Sequence, residues 1–244
     1  FSAHYLESDS SLFYRSAFKV LGRQEEVKTP SLFLQNDIER YKIDIAKFNL
    51  FPEMSAQEID GTILEGCQPI HPLTIYLLPH LSNILGQNER TLYMFLSQFD
   101  GEFDETKWYY ADELFDYFYS DETLYYRIEE LKQYRFAVSY GVSDNALRLI
   151  KLLTLLENFK GKFSVQEDLI SFGLGIGMDD AKKVIEELLQ VKLLRYNRIS
   201  GSYEMYTGSI IEIDDLIKQY RLKIKDDDLL RAQPLKELIK NKYY

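Results

Sequence analysis

Two short stretches carry residues whose types and spacing could do chemistry. In the first, Cys67-Gln68-Pro69-Ile70-His71-Pro72-Leu73-Thr74 is followed one helix later by Gly86-Gln87-Asn88-Glu89-Arg90-Thr91-Leu92. Arg90 falls in the first turn of its predicted helix, where free amides already create positive potential and a cation is disfavoured by about 0.3–1 kcal/mol. An anion beside it would remove the conflict, whether a nucleotide phosphate or a carboxylate such as Glu89. The second stretch is a predicted hairpin in which Lys192, Arg195 and Arg198 oppose Glu204 alone, with Tyr196, Tyr203 and Tyr206 interleaved. That composition suits either a wing touching a nucleic-acid backbone or a solvated surface on a domain that packs against protein.

Other chemistries find no support in the spacing. There is no glycine loop ending in Lys-Ser/Thr, so hydrolysis of nucleotide by that route is not expected from this stretch of chain. Gly173-Leu174-Gly175-Ile176-Gly177 follows a helix rather than a strand and reads as a flexible connection, not a dinucleotide fingerprint. His4, His71 and His80 include no i, i+4 pair, and one cysteine cannot build a thiolate cluster, so neither a metal site nor catalytic residues are expected. Nothing resembles a strained nucleophile turn. The stretch Tyr125-Tyr126-Arg127 to Lys132, Tyr134 and Arg135 mixes aromatics with cations, but Glu129 and Glu130 intervene and core packing accounts for the tyrosines.

The elements that must position these residues are mostly helices. Apolar side chains at helical spacing, such as Leu92, Phe95, Leu96 and Phe99, or Leu149, Leu152, Leu153 and Leu156, draw one stripe per segment. Helices are predicted at Ser11–Leu21, Ser31–Phe48, Pro72–Leu85, Gln87–Phe99 and Ala111–Tyr134, the last broken near Ser120. Pro72 suits a first turn, whereas Pro79 lacks the amide that would bond back to residue 75 and should kink or stop its helix. From Ser143 the pattern becomes three helices and a hairpin. Ser143 or Asp144 caps a helix to about Asn158, Ser164 caps one to about Phe172, and Met178–Gln190 is the third. Strands follow at Val191–Arg198 and Tyr203–Tyr206 around Ser200-Gly201-Ser202. That order is the order of a winged helix. Further helices are expected at Ile213–Leu222 and Asp228–Lys240, the latter interrupted at Pro234.

Composition bounds the function. The 244 residues are 45% hydrophobic and 28% charged, enough for a sizeable core. Net charge is −10, and it is uneven: residues 1–120 hold nine Lys/Arg against nineteen Asp/Glu, residues 121–244 twenty of each. Such a chain repels phosphates as a whole, so any nucleic-acid contact has to be local. The third predicted helix carries Asp179, Asp180, Lys182, Lys183, Glu186 and Glu187, net −2, which argues against ordinary reading of a major groove. A single cysteine suits a reducing compartment, and no apolar run reaches the length of a membrane span, so a cytoplasmic protein without membrane contact is expected. The opening Phe1-Ser2-Ala3-His4 reads as the start of a piece of a longer chain.

At this point the residues resemble a known family. The run His71-Pro72-Leu73-Thr74, Leu77-Leu78-Pro79, Leu81-Ser82, Gly86 to Leu92 and Phe95-Leu96 is similar to a segment of large bacterial P-loop ATPases of the AAA and STAND-like kinds, some from phage-defence or restriction-like systems. Glu113 to Phe118 resembles that family's Leu-Tyr-Asp-Tyr element, with Phe115 where a tyrosine is expected. Leu194-Arg195-Tyr196, Gly201-Ser202-Tyr203, Gly208-Ser209 and Ile213-Asp214 resemble its winged-helix hairpin and following helix, with Met205 where an aromatic is expected. The likeness spans Leu64 to Leu216.

The resemblance implies a mainly α-helical fold: an acidic helical, lid-like bundle over 1–140, a winged-helix domain with a small β-hairpin over 141–210, and C-terminal helices over 211–244. By analogy Pro72 would meet an adenine and Arg90 a γ-phosphate, with His71 nearby. ATP and magnesium would sit in an N-terminal ATPase core of the same chain, none being bound by this piece alone, and antiviral defence would be the setting. The piece would sense nucleotide state and relay it to protein partners or to further copies of itself. Two rival readings remain. An assembly scaffold without nucleotide contact would pair Arg90 with an acidic residue of this chain, and a DNA-binding regulator would expose Lys192, Arg195 and Arg198 on one face with steep salt dependence.

Overall fold

The computed structural model describes residues 13–17, 21, 32–84, 94–97, 107–119, 131–159 and 161–206, all within one compact unit that ends at Tyr206. Arg90, most of the predicted Gln87–Phe99 helix, Tyr125–Glu130 and the expected helices after Ile213 lie outside the described residues. The described chain is mainly helical, with one two-stranded antiparallel sheet.

Residues 13–17 are helical and place Tyr14 against Phe51, ring centroids 4.9 Å apart. Helix α1, Leu32–Lys47, turns Ile38, Tyr41 and Ile45 inward and ends on Lys47, a cation that suits the negative end of the helix. A tight turn follows, with Asn49 and Phe51 at positive φ, and Phe51 fully buried. Ser55 and Glu58 then form a reciprocal capping box that opens a short helix, Ala56–Glu58, which continues as π-helical turns over Ile59–Glu65.

Helix α2, Pro72–Ile84, keeps close to its predicted bounds and does not stop at Pro79. The reason is its surroundings. Leu73, Ile75, Tyr76, Leu77, Leu78 and Leu81 are all buried, so packing on every side outweighs one missing backbone bond. Residues 94–97 are helical. Helix α3 is Ala111–Phe118, ending at Tyr119, and helix α4 is Lys132–Tyr140, closed by Gly141 in the left-handed region. The second of these continues six residues past the predicted end at Tyr134 and stops where a residue without a side chain is needed.

Helix α5, Asp144–Leu156, is capped by Ser143, whose hydroxyl accepts from the Ala146 amide. Helix α6 is Glu167–Leu174 and α7 is Met178–Gln190. Ser164 does not cap α6 as expected. It lies in an extended segment beside the hairpin, where Val165 N donates to Ser202 Oγ at 2.9 Å and Tyr203 N to Val165 O at 2.8 Å. Strands β1, Leu194–Asn197, and β2, Ser202–Met205, pair with Leu194 opposite Met205 and Tyr196 opposite Tyr203. Strand β1 is shorter than expected, and β2 has its expected length one residue earlier. Residues Val191–Leu193 instead finish α7: Lys192 takes φ 60°, and Leu193 N bonds back to Leu188 O at 3.0 Å. Met205, in place of the expected aromatic, is buried with its sulfur near the Thr154 hydroxyl.

One hydrophobic cluster joins all of this, from Tyr14 and Tyr41 through α2 to Phe172 and Met205, and it runs across residue 140 without interruption.

Candidate functional site

The His71-Pro72 pair lies at the foot of α2, and backbone bonds fix it there. Ile70 bridges Tyr109 in parallel, His71 N donates to Tyr109 O at 2.9 Å, and Tyr109 N donates to Pro69 O at 2.9 Å. Thr74 Oγ1 donates to the same Tyr109 carbonyl. These bonds tie the start of α2 to the strand-like entry of α3.

The imidazole of His71 is fully buried within a ring of aromatics. Phe172 lies 4.5 Å away by ring centroid, Tyr41 4.7 Å at right angles, Tyr110 4.9 Å and Trp108 6.3 Å. Nδ1 accepts from the Leu73 amide at 3.3 Å, which assigns the proton of the neutral ring to Nε2. Nε2 is buried and has no hydrogen-bond partner among the described residues. Burial first, and then the Arg40 charge, hold the His71 pKa well below the ordinary histidine value.

Polar groups close the ring on two sides. The Tyr41 and Tyr110 hydroxyls meet at 3.3 Å, and burial raises both phenols above the ordinary tyrosine value. On one flank Trp108 Nε1 donates to Asp37, which also pairs with Arg40, itself stacked over Tyr41 at 5.1 Å. On the other, Arg148 makes a two-pronged pair with Asp112, at 2.7 and 3.2 Å, and donates to Leu174 O at 2.8 Å. Asp112 is only 5% exposed. Lys151–Asp116 and Lys47–Asp168 add two more ion pairs between α5 or α6 and the earlier helices. Gly173 and Gly175, expected to lie in a flexible connection, are packed into this closure. A Cβ on Gly175, which has φ 63°, would lie 2.0 Å from the Tyr110 ring, and one on Gly173 would lie 2.9 Å from Leu152.

The structure therefore brings His71 and Pro72 together but encloses both, while Arg90 lies outside the described residues. The basic residues of the hairpin are exposed, though Arg195 pairs with Glu204 at 3.2 Å. Ile199, beside Arg198 in the turn, is 99% exposed. On α7, Lys182 and Lys183 pair with Asp179 and Asp180 along the same exposed face. Among the described residues no group of three His, Cys, Asp or Glu could hold a metal ion, and no helix is long and apolar enough to cross a membrane. Tyr41, Tyr110, Phe172 and the Asp112–Arg148 pair escaped the sequence reading, because separations of tens of residues leave no local pattern. No family model, curated protein or solved structure matches the chain.

Proposed function

We propose that this chain is the non-catalytic regulatory part of a bacterial P-loop ATPase, a helical lid leading into a winged helix, which senses nucleotide state and passes it on. Beside the residue likeness, the order α5, the extended Val165 segment, α6, α7, β1 and β2 supports a winged helix, with the Val165 segment bonded to the hairpin through Tyr203 N. The observation that carries the relay is the shared core. His71, Tyr110 and Asp112 on the lid side meet Phe172 and Arg148 on the other, so displacement of one body draws the other with it. ATP and magnesium would bind an N-terminal core of the same protein. Because His71 and Pro72 are enclosed, the phosphate-sensing role rests on Arg90, and those two serve by setting where α2 begins. An arginine that meets the γ-phosphate only in a closed form couples position to ATP against ADP by differential contact.

The test is ATP binding and turnover by the ATPase-containing protein with Arg90→Ala. Turnover lost with ATP still bound is the expected result, and unchanged turnover rejects the sensor. A second reading, an assembly scaffold, draws on the bare Ile199 and half-exposed Tyr196 of the hairpin, which offer an apolar tip to a protein partner. DNA binding through Lys192, Arg195 and Arg198 is disfavoured by the Arg195–Glu204 pair and the net negative charge of α7.

A further inference from the structure

We propose that His71 is a proton-operated latch: its imidazole takes up a proton only when Tyr41, Tyr110 and Phe172 part, so acidity loosens the seam where α2 and α1 meet the entry of α3 and α6. The geometry makes the closed form intolerant of the cation. A protonated ring would present an N–H at Nδ1 to the Leu73 amide, setting donor against donor at 3.3 Å. Leu73 also lies in the first turn of α2, where free amides already supply positive potential. Nε2 has no acceptor to receive a strengthened donor. The ring is shut off from water, so the charge could not be solvated without opening the cage.

The charged neighbours do not rescue it. On α1, Asp37 is committed to Trp108 and Arg40, while Lys47 pairs with Asp168 of α6. On the 107–118 segment Asp112 is held by Arg148 of α5, and burial raises Glu113 toward its neutral form. Glu167 of α6 accepts from Tyr203, Lys107 is exposed and stacks on Tyr109, and His80 lies on α2 against Tyr76 and Phe159. Burial also raises Asp44 toward its neutral form, and Arg40 is the charge that acts on the ring, opposing protonation.

The sign follows from linkage. The closed form stays neutral well below 6.5, whereas the opened form binds a proton near 6.5. As pH falls through that value, the ratio of open to closed forms rises by up to about tenfold per pH unit, and it falls again as pH is raised. Amides that bond across the seam report this directly: His71 N to Tyr109 O, and Tyr109 N to Pro69 O.

The experiment is hydrogen exchange of the full chain between about pH 7.5 and 5, corrected for intrinsic exchange, on wild type, His71→Gln and His80→Gln. Opening at the His71 and Tyr109 amides should rise by close to tenfold per unit below pH ~6.5 in wild type and in His80→Gln, and stay flat in His71→Gln. An equal rise in His71→Gln, no rise in wild type, or a rise of the same size at the hairpin amide Tyr206 would overturn the latch. Should His71→Gln fail to fold, imidazole resonances of the wild type decide the matter. A His71 ring that titrates near 6.5 while the seam amides stay protected rejects the proposal, and one that stays neutral until they open supports it.

Discussion

Arg148 shows how much one side chain can hold when its partner is enclosed. Removing it as Arg148→Ala leaves the Asp112 carboxylate buried without its cation, an expected loss of about 2–4 kcal/mol, kept below the fully buried limit because the Arg148 side chain is 28% exposed. Urea unfolding measures it, and the paired change Arg148→Met with Asp112→Leu should recover most of the loss. Cys67 gives a second residue-scale expectation. Burial pushes its thiol up to about 12, so iodoacetamide near neutral pH should label it only when the protein unfolds. In the sequence Arg90 stood out by its place in a predicted first turn, and His71 and Pro72 through the family resemblance. Asp112 was counted only among the nineteen acidic residues of 1–120, since nothing local marks which of them is buried.

At the scale of elements, termini were more legible than lengths. Ser143 before Asp144 announced α5, and Met178–Gln190 matches its predicted bounds, because caps and amphipathic spacing act within a few residues. Ser143 also donates from its amide and hydroxyl to Glu187, both at 2.6 Å, tying α5 to α7. Ser143→Ala is therefore expected to cost about 1–2 kcal/mol in urea unfolding, and Ser143→Asn less, as an alternative capping side chain. The Ala56–Glu65 turns were missed although Ser55-x-x-Glu58 was there to be read: the stretch is short and Gly61 and Gly66 spoil its helical signal. Of the kink or stop expected at Pro79 the stop does not occur, the proline's local cost being overridden by burial that only the folded neighbours supply. Gly175→Ala should be destabilising by about 1–3 kcal/mol, combining a left-handed backbone with a collision at Tyr110, and melting temperature reads it.

For the whole molecule, apolar residues at helical spacing forecast a mainly helical chain, and that much is what the described residues form. The change of pattern from Ser143 onward reports which faces are apolar and not what covers them. Here Phe172 covers Tyr41 and His71, and Leu152 covers Gly173 beside Leu73. Produced alone, residues 141–206 are thus expected to lack cooperative unfolding and to bind a hydrophobic dye, and to regain a sharp transition when mixed with the preceding residues. Calorimetry of the pieces, separately and together, checks this.

The bare turn at Arg198-Ile199 has a consequence for handling the protein. A loop tip with an arginine beside a fully exposed residue is an inviting place for trypsin to nick. The two ends created by the cut remain separately moored, β1 through the end of α7 and β2 through Val165 and the bond from Gln133 Nε2 to the Tyr206 carbonyl. A nicked molecule should therefore migrate as one species on a sizing column and as two on a denaturing gel.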